Sequence, residues 1–263
     1  MKKTSLIIAG PCAAESELQI NQSIAQAERR GVDFLRASLW KPRTKPGFEG
    51  LGETGLPLLA KIAQRGLNPA TEVLTPEHAE KVIDTVLSVS KNGKVLIWIG
   101  ARNQNHFLQQ EIAKVAHKNS RVVLMVKNQP WPSLEHWEGI IEHILSTGFP
   151  KERLLLCHRG FAPFGDNPLG LRNIPDFEMA MDIKQKSGLR MLFDPSHIGG
   201  SVEKVLAVAY LSMQYDFDGM ITEVHPDPQA AQTDAKQQLT WEQFDSVLRH
   251  LHITSGNSAP IHV

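Results

Sequence analysis

Four side chains scattered along the 263 residues could together hold a metal ion: Cys12, His197, Glu223 and Asp234. One thiolate, one imidazole and two carboxylates suit a divalent transition metal of borderline softness. A second set is cationic: Arg36, Lys41, Arg43, Arg102, Lys127 and Arg159. Cations gathered in one place repel each other, and a dianionic phosphate relieves that cost while accepting charge-assisted, often bidentate hydrogen bonds. Taken singly, each residue has a plainer reading, since a lone cysteine usually packs and a lone arginine or carboxylate is usually solvated. Joint placement by the fold has to decide between the two.

The elements that could gather them are legible as a repeating pattern. Eight short apolar runs occupy residues 6–9, 33–37, 70–74, 95–99, 122–126, 154–157, 191–193 and 219–224, and helical spacing fills 16–30, 76–89, 105–117, 133–146, 176–186 and 202–213 between them. Near-continuous apolar strands alternating with helices imply a parallel sheet covered by helices, and eight of them imply an α/β fold closed as a (β/α)₈ TIM barrel, with an open doubly wound sheet as the alternative. Pro69 lacks the N–H a central ladder needs, so the third strand is expected to have its core after it. Reactive groups in such a barrel sit where the strands end. Polar groups stand at all eight ends: Cys12 after strand one, Lys41 to Thr44 after two, Glu72 at three, Arg102 after four, Lys127 at five, His158 and Arg159 at six, Asp194 to His197 after seven and Glu223 at eight.

Composition narrows the classes. With 41% hydrophobic residues and a length near the roughly 250 typical of one barrel, a single catalytic domain over residues 1–252 is expected, with 253–263 as a tail or linker stub. Lys plus Arg equals Asp plus Glu at 28 each, so no global field favours nucleic acid or an anionic membrane. No apolar run approaches the roughly 20 residues of a membrane span, Gly10-Pro11-Cys12 arrives too early for a complete secretory signal, and two cysteines make no disulfide scaffold; the expectation is a soluble, cytoplasmic protein without an amino-terminal regulatory domain. Cys157, Trp131, Trp137 and Trp241 are expected to pack, while His158, His225 and Trp40 stay open.

Six motifs, in this order, resemble the type I DAHP synthase family, in particular its shorter β subgroup, which shares a barrel with KDO8P synthase. They are Gly-Pro-Cys-Ala-Ala-Glu-Ser (10–16), Lys-Pro-Arg-Thr (41–44), Ile-Gly-Ala-Arg-Asn (99–103), Leu-Cys-His-Arg-Gly (156–160), Asp-Pro-Ser-His (194–197) and Glu-Val-His-Pro (223–226), and the likeness runs from about Ile8 to Leu239. The resemblance implies condensation of phosphoenolpyruvate with erythrose 4-phosphate and water to give DAHP and phosphate, the first step of the shikimate pathway to chorismate and the aromatic amino acids. Lys-Pro-Arg-Thr favours that aldose over arabinose 5-phosphate, for which KDO8P synthases carry a Lys-Ala-Asn-Arg-Ser-type segment.

By the same resemblance Cys12, His197, Glu223 and Asp234 bind one divalent ion, manganese first, with iron, cobalt, zinc or copper as alternatives. Arg102, Lys127 and Arg159 would contact phosphoenolpyruvate, Arg36 and Lys41 its carboxylate, and Arg43 with Thr44 the aldose phosphate. Lys41, Lys127, Glu72 and His197 are the expected catalytic residues, with Lys127 and Glu72 handling the water and its protons. A homodimer or homotetramer is implied, and a chorismate mutase domain, which some relatives carry, is absent from this chain. Departures from the family pattern are the loop 161–171, with Gly165-Asp166-Asn167-Pro168, and Asp234-Ala235 for a commoner Asp-Gly. The rival readings are a KDO8P synthase, the catalytic half of a bifunctional enzyme, and a catalytically silent barrel that binds metal or phosphometabolites.

Overall fold

Each of the eight apolar runs becomes a strand in the computed structural model, which describes residues 5–41 and 47–250. They are β1 (Leu6–Gly10), β2 (Phe34–Arg36), β3 (Pro69–Val73), β4 (Val95–Ile99), β5 (Val122–Lys127), β6 (Leu154–His158), β7 (Arg190–Phe193) and β8 (Gly219–Glu223). All neighbours pair in parallel, and β8 returns to β1, closing a single-domain TIM barrel. The tail expected at 253–263 and the expected aldose-phosphate residues Arg43 and Thr44 lie outside the described residues.

The helices expected between the strands form as α1 (Glu17–Arg30), α3 (Pro76–Val89), α4 (His106–His117), α5 (Leu134–Leu145), α6 (Phe177–Ser187) and α8 (Val202–Leu211). Three more were not anticipated: α2 (Leu56–Gln64), the short α7 (Pro195–Gly199) and α9 (Trp241–His250). Side chains of Ser16, Thr75, Asn105, Ser133 and Asp176 cap the first turns of α1, α3, α4, α5 and α6 by accepting a backbone N–H three residues on, which fixes where each helix begins.

The core of β3 follows Pro69 as expected, and the proline itself is the first residue of the strand, paired with Leu35. The ladder there uses other donors, Leu35 N–H to Asn68 O at 2.8 Å and Ala37 N–H to Ala70 O at 2.9 Å, so the missing proline donor is not needed. Trp137 and Trp241 are buried as expected, but Trp131 is 45% exposed. Cys157 packs inside the barrel.

Strand alternation sorts the core into two shells. Leu6, Ile8, Phe34, Ala70, Leu96, Trp98, Val123, Met125, Leu155, Cys157, Leu192 and Ile221 fill the interior, while the intervening strand residues pack outward against the helices. Two residues further along each strand the same inward parity gives Gly10, Arg36, Glu72, Gly100, Lys127, Arg159, Asp194 and Glu223. The barrel thus carries a charged layer at its carboxyl end, directly over the apolar plug.

Candidate active site

That charged layer forms the floor of a cavity of about 560 Å³, whose wall includes Lys41, Glu72, Arg102, Lys127, Arg159 and His197. Like Gly10, Gly100 brings no side chain to that layer, and at Gly100 the reason is steric: a Cβ would stand 2.0 Å from Glu72 Oε1. The glycine lets that carboxylate lie against the backbone and face the cavity.

On one side of the cavity the expected metal donors meet. Ligand atoms of Cys12, Glu223 and Asp234 all lie within 4.8 Å of one another, and His197 Nε2 stands 3.9 Å from Glu223 Oε1. The Cys12 thiol donates to Asp234 Oδ2 at 3.3 Å. Four separate segments supply these groups, and each is pinned locally. Cys12 N–H donates to Gln238 Oε1 at 3.0 Å, Glu223 N–H donates to Ser196 Oγ at 2.9 Å, and Asp194 caps the turn that presents His197, accepting its N–H at 3.0 Å. His197 Nδ1 lies 2.8 Å from Asp194 Oδ2, off the hydrogen-bonding axis. Burial draws the His197 pKa down to about 4, so the imidazole is neutral at physiological pH, the state a ligand needs. Mixed S, N and O donors fit a divalent transition ion.

Three cations surround these donors: Lys41, Arg36 and Arg172. Lys41 Nζ contacts Cys12 Sγ and lies 3.0 Å from Asp234 Oδ2. Burial opposes its charge, but Cys12, Glu223 and Asp234 hold the ammonium above the ordinary lysine range. Burial pushes the Cys12 thiol up as well, with Glu223 adding to the effect and Lys41 opposing it. Arg36, expected near a substrate carboxylate, is 1% exposed beneath these donors and donates to Pro11 O, Cys12 O and Glu223 Oε1 at 3.3, 3.2 and 3.2 Å, while its Nη1 has no partner among the described residues.

Across the cavity lies the second cationic group. Lys127 donates to the buried Asp194 at 2.6 Å and sits 5.6 Å from the Trp98 ring centroid. Arg159 donates to Asn173 Oδ1 at 2.9 Å, and its backbone N–H to Asn128 Oδ1 at 2.8 Å. Burial makes the Arg159 charge costly, Asp194 offsets part of this, and Arg172 and Arg102 add to the cost; the pKa is drawn down to about 10 with the charge retained at neutral pH. Such a site gains by accepting an anion.

Several members were not foreseen. Asp194, which stood among the polar strand ends without a role, holds both Lys127 and His197, and continuing the inward alternation two residues past Leu192 gives it that place. Arg172, Asn173 and Gln237 lie in irregular loops and carried no signal of their own. His158 and His225 turn out to be structural: His158 Nε2 accepts from Asp176 N–H at 3.0 Å, and His225 Nδ1 from Asp227 N–H at 3.0 Å. Trp40 stacks on His78, centroids 3.8 Å apart. No helix among the described residues is long and apolar enough to cross a membrane.

Comparison with known proteins places this geometry in context. The profile of the DAHP synthetase I family matches residues 2–255. Phospho-2-dehydro-3-deoxyheptonate aldolase of Thermotoga maritima is 33% identical over 247 residues, covering 93% of this chain and 68% of the relative. A 2-dehydro-3-deoxyphosphooctonate aldolase of Desulfatibacillum aliphaticivorans is 32% identical over 94% of this chain and 90% of its own length. The crystal structure of the Thermotoga maritima DAHP synthase superposes with a TM-score of 0.81 at 30% identity, covering 95% of this chain and 69% of that one.

Proposed function

The chain belongs to the DAHP synthetase I family, and on that premise we propose how its barrel mouth condenses phosphoenolpyruvate with erythrose 4-phosphate and water to yield DAHP and phosphate. The observation that carries the reading is adjacency: a thiol, imidazole and carboxylate donor set reaches, through His197 and Asp234, the same cavity that Lys127 and Arg159 line. One chemistry suits a carbonyl, the other a phosphate.

Cys12, His197, Glu223 and Asp234 would hold one divalent ion, manganese first among the candidates. When bound, such an ion acts as a Lewis acid toward the aldehyde carbonyl. The rest falls to side chains. Arg102, Lys127 and Arg159 clamp the phosphate of phosphoenolpyruvate, Arg36 and Lys41 serve its carboxylate, and Arg43 with Thr44 takes the aldose phosphate, turning an encounter of two anions into a positioned reaction. Carbon 3 of phosphoenolpyruvate bonds to the aldehyde carbon, whose carbonyl double bond opens onto its oxygen and leaves it to take up a proton, and water adds to carbon 2. Glu72, in the cavity wall, accepts the proton that the water gives up. The resulting hemiketal phosphate collapses, its C–O bond to phosphate breaks, and the cationic clamp receives the leaving phosphate. Assembly as a homodimer or homotetramer and a cytoplasmic location accompany this reading.

Phosphate release measured with each aldose, before and after chelation, tests the proposal. Release with erythrose 4-phosphate, abolished by chelator and restored by manganese, is expected. Release with arabinose 5-phosphate alone would reassign the substrate, and none with either would make the barrel a binding protein.

A further inference from the structure

Arg172 lies in the segment between β6 and α6, twelve residues beyond Gly160, and belongs to none of the motifs that first pointed to chemistry. We propose that it is a positioning residue for both acidic metal ligands, acting on Asp234 directly and on Glu223 through Gln237. The inference rests on reading Cys12, His197, Glu223 and Asp234 as the ligand set.

Arg172 Nη1 donates to Asp234 Oδ1 at 3.1 Å and to the side-chain oxygen of Gln237. A guanidinium only donates, so the Gln237 oxygen must face it. The amide nitrogen is then turned the other way, where it donates to Glu223 Oε2 at 2.5 Å. Either amide orientation would satisfy Gln237 in isolation; Arg172 selects the one that offers Glu223 a donor instead of a repelling oxygen. Glu223 is thereby gripped on both oxygens, since Arg36 donates to Oε1 at 3.2 Å.

Asp234 has a stronger need of a clamp. It is the one non-glycine residue with positive φ among the described residues, at 49°. Aspartate tolerates that region better than most residues but still does not prefer it, and such a conformation persists only when its surroundings enforce it. Enforcement comes from Arg172 on Oδ1, Lys41 on Oδ2 at 3.0 Å, and the turn bond from Gln237 N–H to Asp234 O at 3.0 Å. Removal of Arg172 frees both the carboxylate and the amide that steers Glu223.

Cobalt titration of the purified chain, followed by the thiolate-to-cobalt absorption band, reads the ligand geometry without recourse to turnover. Arg172→Met is expected to weaken cobalt binding roughly 10- to 100-fold, as loss of groups that orient metal ligands typically does, and to shift the band. Arg172→Lys, which keeps the charge, should recover part of the affinity, and Gln237→Glu should lose at least as much as Arg172→Met. At saturating cobalt the KM for phosphoenolpyruvate should be unchanged. Cobalt affinity in Arg172→Met within twofold of the parent, or tighter, overturns the proposal. So does a KM effect without an affinity effect, which would make Arg172 a substrate contact. A parent chain that binds no cobalt refutes the ligand reading itself.

Discussion

Arg159 and Arg102 reach the cavity under different constraints: Arg159 is 8% exposed and tied to Asn173, whereas Arg102 stands exposed on the rim. Arg102 is therefore the cleaner probe of the phosphate clamp. Arg102→Ala should raise the KM for phosphoenolpyruvate about 10- to 100-fold, the equivalent of the roughly 1.5–3 kcal/mol of a hydrogen bond to a charged group, while moving that of the aldose less than twofold. Steady-state kinetics with each substrate varied will show it, and an effect confined to the aldose would exchange the two subsites. The strand-end rule was enough to point to Cys12, Glu72, Lys127, Arg159, His197 and Glu223, because each sits within two residues of a strand or, like His197, at the turn that follows one. It could not say how Arg36 would be held: an arginine at a strand end looks the same in sequence whether it meets solvent or, as here, lies under the Pro11 and Cys12 carbonyls. Arg172 was hidden for the opposite reason, since its partners Asp234 and Gln237 come from a loop some sixty positions away.

Among the elements, the eight strands were readable because a strand covered on both faces is apolar at nearly every position, a signal that survives in runs as short as Phe34–Arg36. The helices α2 and α7 were not. Leu-Pro-Leu-Leu-Ala-Lys-Ile-Ala-Gln of α2 is short and almost uniformly apolar, so its period is ambiguous, and α7 spans only five residues. By contrast α9 does carry a helical spacing in Trp241, Phe244 and Leu248, all of them buried. Closure of the barrel depends on the seam between β1 and β8, where Gly219, with φ +159°, leaves no room: a Cβ would lie 2.1 Å from Leu6 O. Gly219→Ala should destabilise the fold by about 3 kcal/mol, the upper end for overpacking, because the obstacle is backbone. Gly188→Ala is the control: its φ is +68° but nothing lies within 4 Å, so only the roughly 1–2 kcal/mol of left-handed strain is expected. Urea midpoints of the two variants should differ accordingly.

For the molecule as a whole, acid stability has an identifiable contributor in His158, which is buried beside Trp137 with ring centroids 5.6 Å apart. Burial, with Arg159 adding to it, lowers its pKa to about 3. The unfolded chain takes up a proton there near pH 6.5 and the folded chain refuses it, so stability is complete above that pH and declines below it, by up to about 1.4 kcal/mol per pH unit until the folded pKa is reached. Urea unfolding from pH 7 to pH 5 should show a loss of about 2 kcal/mol from this source. A His158→Gln variant, which retains an acceptor for Asp176 N–H, should show a flatter profile, and an unchanged slope would exonerate the histidine. The closed topology has a consequence in time as well as in space. Cys12 and Asp234 touch although they stand 222 positions apart in sequence. A ribosome must therefore pass residue 234 before the donors can assemble, so a nascent chain cannot close the four-donor set any earlier.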